Sequence, residues 1–215
     1  MSLLKGIALL VTATLSLSIS AQEVLVDELF PNAQLSKHLI NADTELYISA
    51  FSRLESDGKK YVALTYYQPY PIDSSLRYVS YALLEQVGEK YEVRFDQVAN
   101  DGAGSGSGHK EPFLYKVNNA KLIVFSTCYR GCGFTFYRIG TAPIQIPLAA
   151  YDGFDANESF NGRHNIYNFN ESGLSIIYRV ALTGDASCCL SGGNIEIFYE
   201  LEGNRFEISK VNRSE

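Results

Sequence analysis

Tryptophan is absent from the 215 residues, and methionine occurs only at position 1. The aromatic content therefore rests on 15 tyrosines and 12 phenylalanines. Tyrosine suits half-buried strands, with an apolar ring and a polar tip, so the composition leans towards an all-β domain. Positive charge is also short: 18 Lys and Arg stand against 24 Asp and Glu, for a net charge of −6, with no basic cluster. Nucleic acid and anionic membrane surfaces both demand a positive footprint, so neither is expected as a partner. No apolar run after the N-terminus approaches the ~20 residues that a membrane-spanning helix needs. The three histidines, His38, His109 and His164, are scattered. They lack the spacing of metal ligands or of a base beside a nucleophile.

What is present begins with MSLLKGIALLVTATLSLSISAQE, which has one basic residue, an apolar middle and a small-residue close at Ser18, Ser20 and Ala21. This is the tripartite pattern of a secretory signal. The reading is a signal peptide over 1–21 and a single β-rich domain over 22–215, periplasmic or secreted, with no membrane insertion after cleavage.

A short helix is expected from about Asn32 to Asn41, with Pro31 in its first turn, where the missing N–H costs nothing. From Glu45 the apolar period changes to two. ELYISAFSRL and KKYVALTYY flank an Asp57-Gly58 turn, and LRYVSYALLEQ and KYEVRF flank Gly88. Counting onward gives about ten strands in a mainly β, antiparallel meander, as in a sandwich, barrel or propeller-like fold. A threefold internal repeat runs through it. Residues 114–126 match 166–178 at an offset of 52, aligning Tyr115 with Tyr167, Asn118 with Asn170 and Leu122 with Leu174. Residues 83–93 echo 198–208 at an offset of 115, aligning Gly88 with Gly203. The units would begin near residues 58, 114 and 166. Two segments break the strand pattern: 98–112 reads as a flexible Gly/Ser-rich loop, and 150–165 reads as a polar connector.

The four cysteines form two pairs, Cys128 with Cys132 and Cys188 with Cys189. An even count in an exported chain points to disulfides. Adjacent cysteines make a poor zinc knuckle, and neither pair is a C-x-x-C redox motif at a helix start. Both pairs occupy the same slot of their repeat units. The expected arrangement is two inter-loop bridges, each contributing roughly 2–4 kcal/mol.

No catalytic constellation, cofactor motif or metal motif emerges. The loop GSGSGHK fits neither a P-loop nor a nucleophile elbow. Asp152, Asp155, Asn157 and Glu158 offer oxygen ligands without EF-hand spacing. Tyr66, Tyr67 and Tyr70 cluster around prolines, which suits either strand packing or a binding surface.

Two resemblances add to this. GDASCCLSGG (184–193), followed by a strand, a Gly turn and a final Phe strand, resembles a G-D-x-x-C-C-x-S-G-G motif of uncharacterised exported bacterial proteins, with Leu190 in place of proline. It implies export but no activity. Residues 105–110 are similar to the S-G-S-G-x-x-Y loop of periplasmic lysozyme inhibitors, with Glu111 at the tyrosine position. That resemblance makes Ser105, Ser107, His109 and Lys110 a candidate binding loop. The expectation is a non-enzymatic binding or interaction module with a protein or glycan partner. The alternatives are a lysozyme-inhibitor-like protein working through 104–111, or a hydrolase whose carboxylate site the sequence does not reveal.

Overall fold

The computed structural model describes residues 24–35, 45–69, 76–105, 109–128, 132–140, 142–186 and 189–214. The signal expected at 1–21 lies outside them, as do His38, Tyr70, Ser107 and Cys188.

Among the described residues, twelve strands follow one short helix: β1 (Tyr47–Ser56), β2 (Lys59–Pro69), β3 (Leu76–Val87), β4 (Lys90–Ser105), β5 (Phe113–Val117), β6 (Ala120–Cys128), β7 (Cys132–Arg138), β8 (Ile144–Ile146), β9 (Glu158–Phe169), β10 (Gly173–Leu182), β11 (Asn194–Glu202) and β12 (Arg205–Ser214). They form three antiparallel four-stranded meanders in chain order, β1–β4, β5–β8 and β9–β12. The mainly β, antiparallel and threefold reading therefore holds.

The repeat is structural. The offset of 52 superimposes β5–turn–β6 on β9–turn–β10, and the offset of 115 superimposes β3–turn–β4 on β11–turn–β12. Gly88 and Gly203 both hold positive φ, 63° and 56°. The first unit begins one strand earlier than expected, at Tyr47 rather than near residue 58.

Period-two alternation stacks the sheets. On β2, Tyr61 and Ala63 join a core with Ile123, Phe125 and Tyr137 of the second sheet. Val62, Leu64 and Tyr66 point the other way, into a core capped by Val26, Phe30 and Ala33. On β6, Leu122 and Val124 turn away from Phe125 to meet Leu174, Ile176, Val180 and Ile197 of the third sheet. Successive side chains of a strand point to opposite faces, so β2 and β6 are buried on both sides. Tyr66 and Tyr67 are core residues.

Three expectations are corrected. The helix, α1, spans Val26–Leu29 rather than 32–41. Proline disfavours helical backbone in the residue before it, and Asn32 sits at φ 73°, so the helix ends before Pro31. Part of the 150–165 connector is strand. β9 is an edge strand paired only with β10, and an edge position tolerates polar residues on its open side. The Gly/Ser stretch 98–112 is strand as far as Ser105, where Leu76↔Ser105, Arg77↔Gly104 and Tyr78↔Ala103 pair beyond a register shift. Backbone pairing with β3 overrides the low strand propensity of those residues.

Candidate functional site

Two-residue turns close β1–β2, β3–β4, β5–β6 and β11–β12. Asp57 and Gly58 both hold positive φ, 54° and 72°, the geometry of a type I′ hairpin. Asn118 holds φ 51°, a left-handed conformation that asparagine tolerates.

At this end the sheets are cross-tied by polar contacts. Lys121 of β6 donates to Asp57 of the β1–β2 turn at 2.6 Å. The Asn118 N–H donates to the Glu171 carbonyl at 2.8 Å. The Tyr115 hydroxyl contacts the carbonyls of Asn170, at 2.9 Å, and Gly173. Arg138 of β7 donates through Nη2 to the Gly203 carbonyl. Gly173 cannot be replaced without movement, because a Cβ there would lie 2.0 Å from the Tyr199 carbonyl oxygen.

Between these ties lies a cavity of about 510 Å³, reached by Asp57 of the first sheet, by Asn118, Asn119, Lys121 and Arg138 of the second, and by Leu201 and Gly203 of the third. A second cavity of about 380 Å³ shares Asp57 and Ile139 with it and continues to Lys59, Tyr61, Glu85 and Arg94. The two adjoin at Asp57 and Ile139, and together are termed the groove across the hairpin ends. Four basic side chains (Lys59, Arg94, Lys121 and Arg138) face two carboxylates (Asp57 and Glu85), leaving a formal +2 in a chain whose net charge is −6.

Each carboxyl in the groove is held below its ordinary pKa. Asp57 is lowered first by the hydrogen bond from Lys121 and then by that from Ser56. Glu85 is lowered first by Lys59, then by Arg94, whose Nε lies 2.7 Å away. Both carboxyls are ion-paired with basic side chains of the groove. Arg138 is under-used. Guanidinium carries five N–H donors, only Nη2 has a protein acceptor among the described residues, and Nε is buried without one.

The residues singled out from sequence lie elsewhere. Ser105 ends β4 opposite Leu76. The His109 Nδ1 and the Ser49 hydroxyl share a hydrogen bond of 2.5 Å, and Ser49 falls at the bulge of β1. The Lys110 N–H donates to Ser126 Oγ at 2.9 Å. His109 and Lys110 are thus tied to the first and second sheets at the end opposite the groove.

Glu158 accepts from the Asp155 N–H at 3.0 Å and pairs with Arg213 at 3.0 Å. The same two contacts, the backbone N–H first, lower its pKa. Asp152 and Asp155 are exposed. Among the described residues, no group of three His, Cys, Asp or Glu side chains is arranged to hold a metal.

The G-D-x-x-C-C-x-S-G-G stretch builds a tied loop. Asp185 accepts from the Leu182 and Ser191 N–H groups, at 2.8 and 2.9 Å, and from the Ser191 hydroxyl at 2.8 Å. Gly184 and Gly193 hold positive φ, and a Cβ on Gly192 would meet Val180 at 2.7 Å. Cys189 is exposed. Cys128 and Cys132 are Cα partners across β6–β7. That loop and the Cys188–Cys189 loop both join the second strand of a sheet to its third.

Sequence reasoning found Asp57 as a turn residue and Asn118 through the repeat, but not the groove. Nothing in FTFYRI marks Arg138, because its partner Gly203 is 65 residues away. No protein-family model, curated protein or solved structure matches the chain.

Proposed function

We propose that this is an exported, non-enzymatic binding module that recognises its partner in the groove across the hairpin turns. Export is supported by the signal-like N-terminus and the paired cysteines. The observation that carries the binding reading is the adjacency of the two cavities. They share Asp57 and Ile139 and draw walls from all three sheets. Their volumes fall in the range of small-ligand sites, ~300–1,000 Å³, and the walls offer charged side chains and turn amides.

The test is to probe immobilised protein lacking residues 1–21 with a glycan array and with extracellular protein extracts. Wild type is compared with Asn119→Trp, which fills the groove from an exposed turn, and with a Ser105→Ala, Ser107→Ala, His109→Ala triple variant. The expected result is that wild type and the triple variant retain the same ligand while Asn119→Trp loses it. If the triple variant loses binding and Asn119→Trp keeps it, recognition belongs to the 104–111 loop. Absence of any ligand in both arms overturns the reading.

A further inference from the structure

We infer that the groove takes a sugar acid, with the carboxylate held by Arg138 and Lys121 and the hydroxyls met by Asn118 and Asn119. This rests on the binding-module reading and adds the ligand's chemistry.

The larger cavity has Lys121 and Arg138 as its cations and Asp57 as its anion, a formal +1 that one carboxylate neutralises. Inorganic phosphate could meet the same cations but has no hydroxylated body to engage Asn118 and Asn119. Arg138 lines the cavity and is tethered there by its Nη2 bond to the Gly203 carbonyl. Its remaining outer amine has no protein acceptor among the described residues. Arginine's rigid fork suits carboxylate geometry. Lys121 is available because its partner Asp57 is 74% exposed and the pair is a surface contact. Such pairs hold weakly, so the ammonium can turn to a ligand without exposing an unpaired buried charge.

The walls argue for a polyhydroxylated body. Asn118 and Asn119 present amides that both donate and accept, which matches hydroxyl groups. An extended peptide docks best on an open strand edge, where its main chain continues a sheet. This groove offers closed two-residue turns and β7, a strand already paired on both sides by β6 and β8. The continuation past Ile139 towards Lys59 and Arg94 gives a second unit of an acidic oligosaccharide room and further cations.

The test is a two-dimensional amide NMR titration with glucuronate, glucose and inorganic phosphate as separate probes, on wild type, Arg138→Gln and Lys121→Gln. Glucuronate is expected to give saturable shifts at 118–121 and 203. Its dissociation constant should rise at least tenfold in Arg138→Gln and severalfold in Lys121→Gln. Glucose and phosphate should not saturate over the same concentrations. Equal binding of glucose, equal binding of phosphate, or unchanged glucuronate binding in both variants overturns the inference. The spectra report folding directly, and Lys121→Gln stands in if Arg138→Gln does not fold. If glucuronate fails while Asn119→Trp still abolishes capture of another ligand, the binding module stands and only the sugar-acid chemistry falls.

Discussion

Replacing Phe125 with alanine removes the ring at the centre of the contact between the first and second sheets. Phe125 is fully buried. It stacks on Tyr81 at 4.8 Å and meets Phe95 and Tyr137 edge-on at 5.8 and 5.7 Å. Truncating a buried Phe to Ala costs about 3–5 kcal/mol, because transfer energy is lost and a cavity remains. Domains of ordinary stability hold only ~5–15 kcal/mol, so the change removes a large share of the total. With a urea slope of about 1–3 kcal/mol per molar, the midpoint should fall by about 1–5 M. The chain has no tryptophan, so unfolding is followed by far-ultraviolet circular dichroism together with the near-ultraviolet tyrosine signal. Val87→Ala is the control. That side chain is 45% exposed, and surface changes of this kind stay within about 0.5 kcal/mol. The Lys121–Asp57 tie spans the same sheet-to-sheet contact, so Phe125→Ala should also weaken ligand binding in a groove it does not line. A midpoint no lower than that of Val87→Ala would refute the stacked-sheet account of the core.

Alkaline titration probes the same cores. Burial pushes the hydroxyls of Tyr115 and Tyr137 up to about 12, against an unfolded value near 10. The folded state therefore favours the protonated ring. That contribution is complete below pH 10 and is lost as pH rises towards 12. Ultraviolet absorbance should show exposed tyrosines ionising first and the buried set ionising together with loss of the dichroism signal. One step for all 15, with folded structure intact, would contradict the burial. A third expectation concerns the cysteines. Direct antiparallel partners lie ~4.5–5.5 Å apart at Cα, inside disulfide reach, so the β6–β7 register favours a Cys128–Cys132 bond over the inter-loop bridges expected from sequence. Non-reducing peptide mapping of oxidised protein should yield fragments joined across Arg130. A fragment joining either cysteine to residues 188–189 would restore the inter-loop arrangement.

Much of the fold was written locally. Asp57-Gly58, Gly88 and Gly203 mark turns because those positions need positive φ, and few residues adopt it without strain. The alternation through β2 and β6 marks strands because the side-chain period is two. The repeat offsets align hairpins because equivalent turns need the same residues in the same places. Local signals misled where pairing overrode composition. β9 reads as a polar connector because only one of its edges is satisfied by a neighbour, and β4 runs through glycines because β3 supplies the hydrogen bonds. Pro31 suits the first turn of a helix, yet it follows one, α1 at Val26–Leu29.

The sequence by itself determined that the chain forms antiparallel hairpins in three related units, because turn dihedrals and alternation act over a few residues. Tertiary structure alone decided that the units stack face to face, and so that Asp57 meets Lys121 and Arg138 meets Gly203, pairs separated by 64 and 65 residues. A groove made from the turns of three sheets exists only after each sheet has buried its apolar face against the next. No local period records which charges that packing brings together.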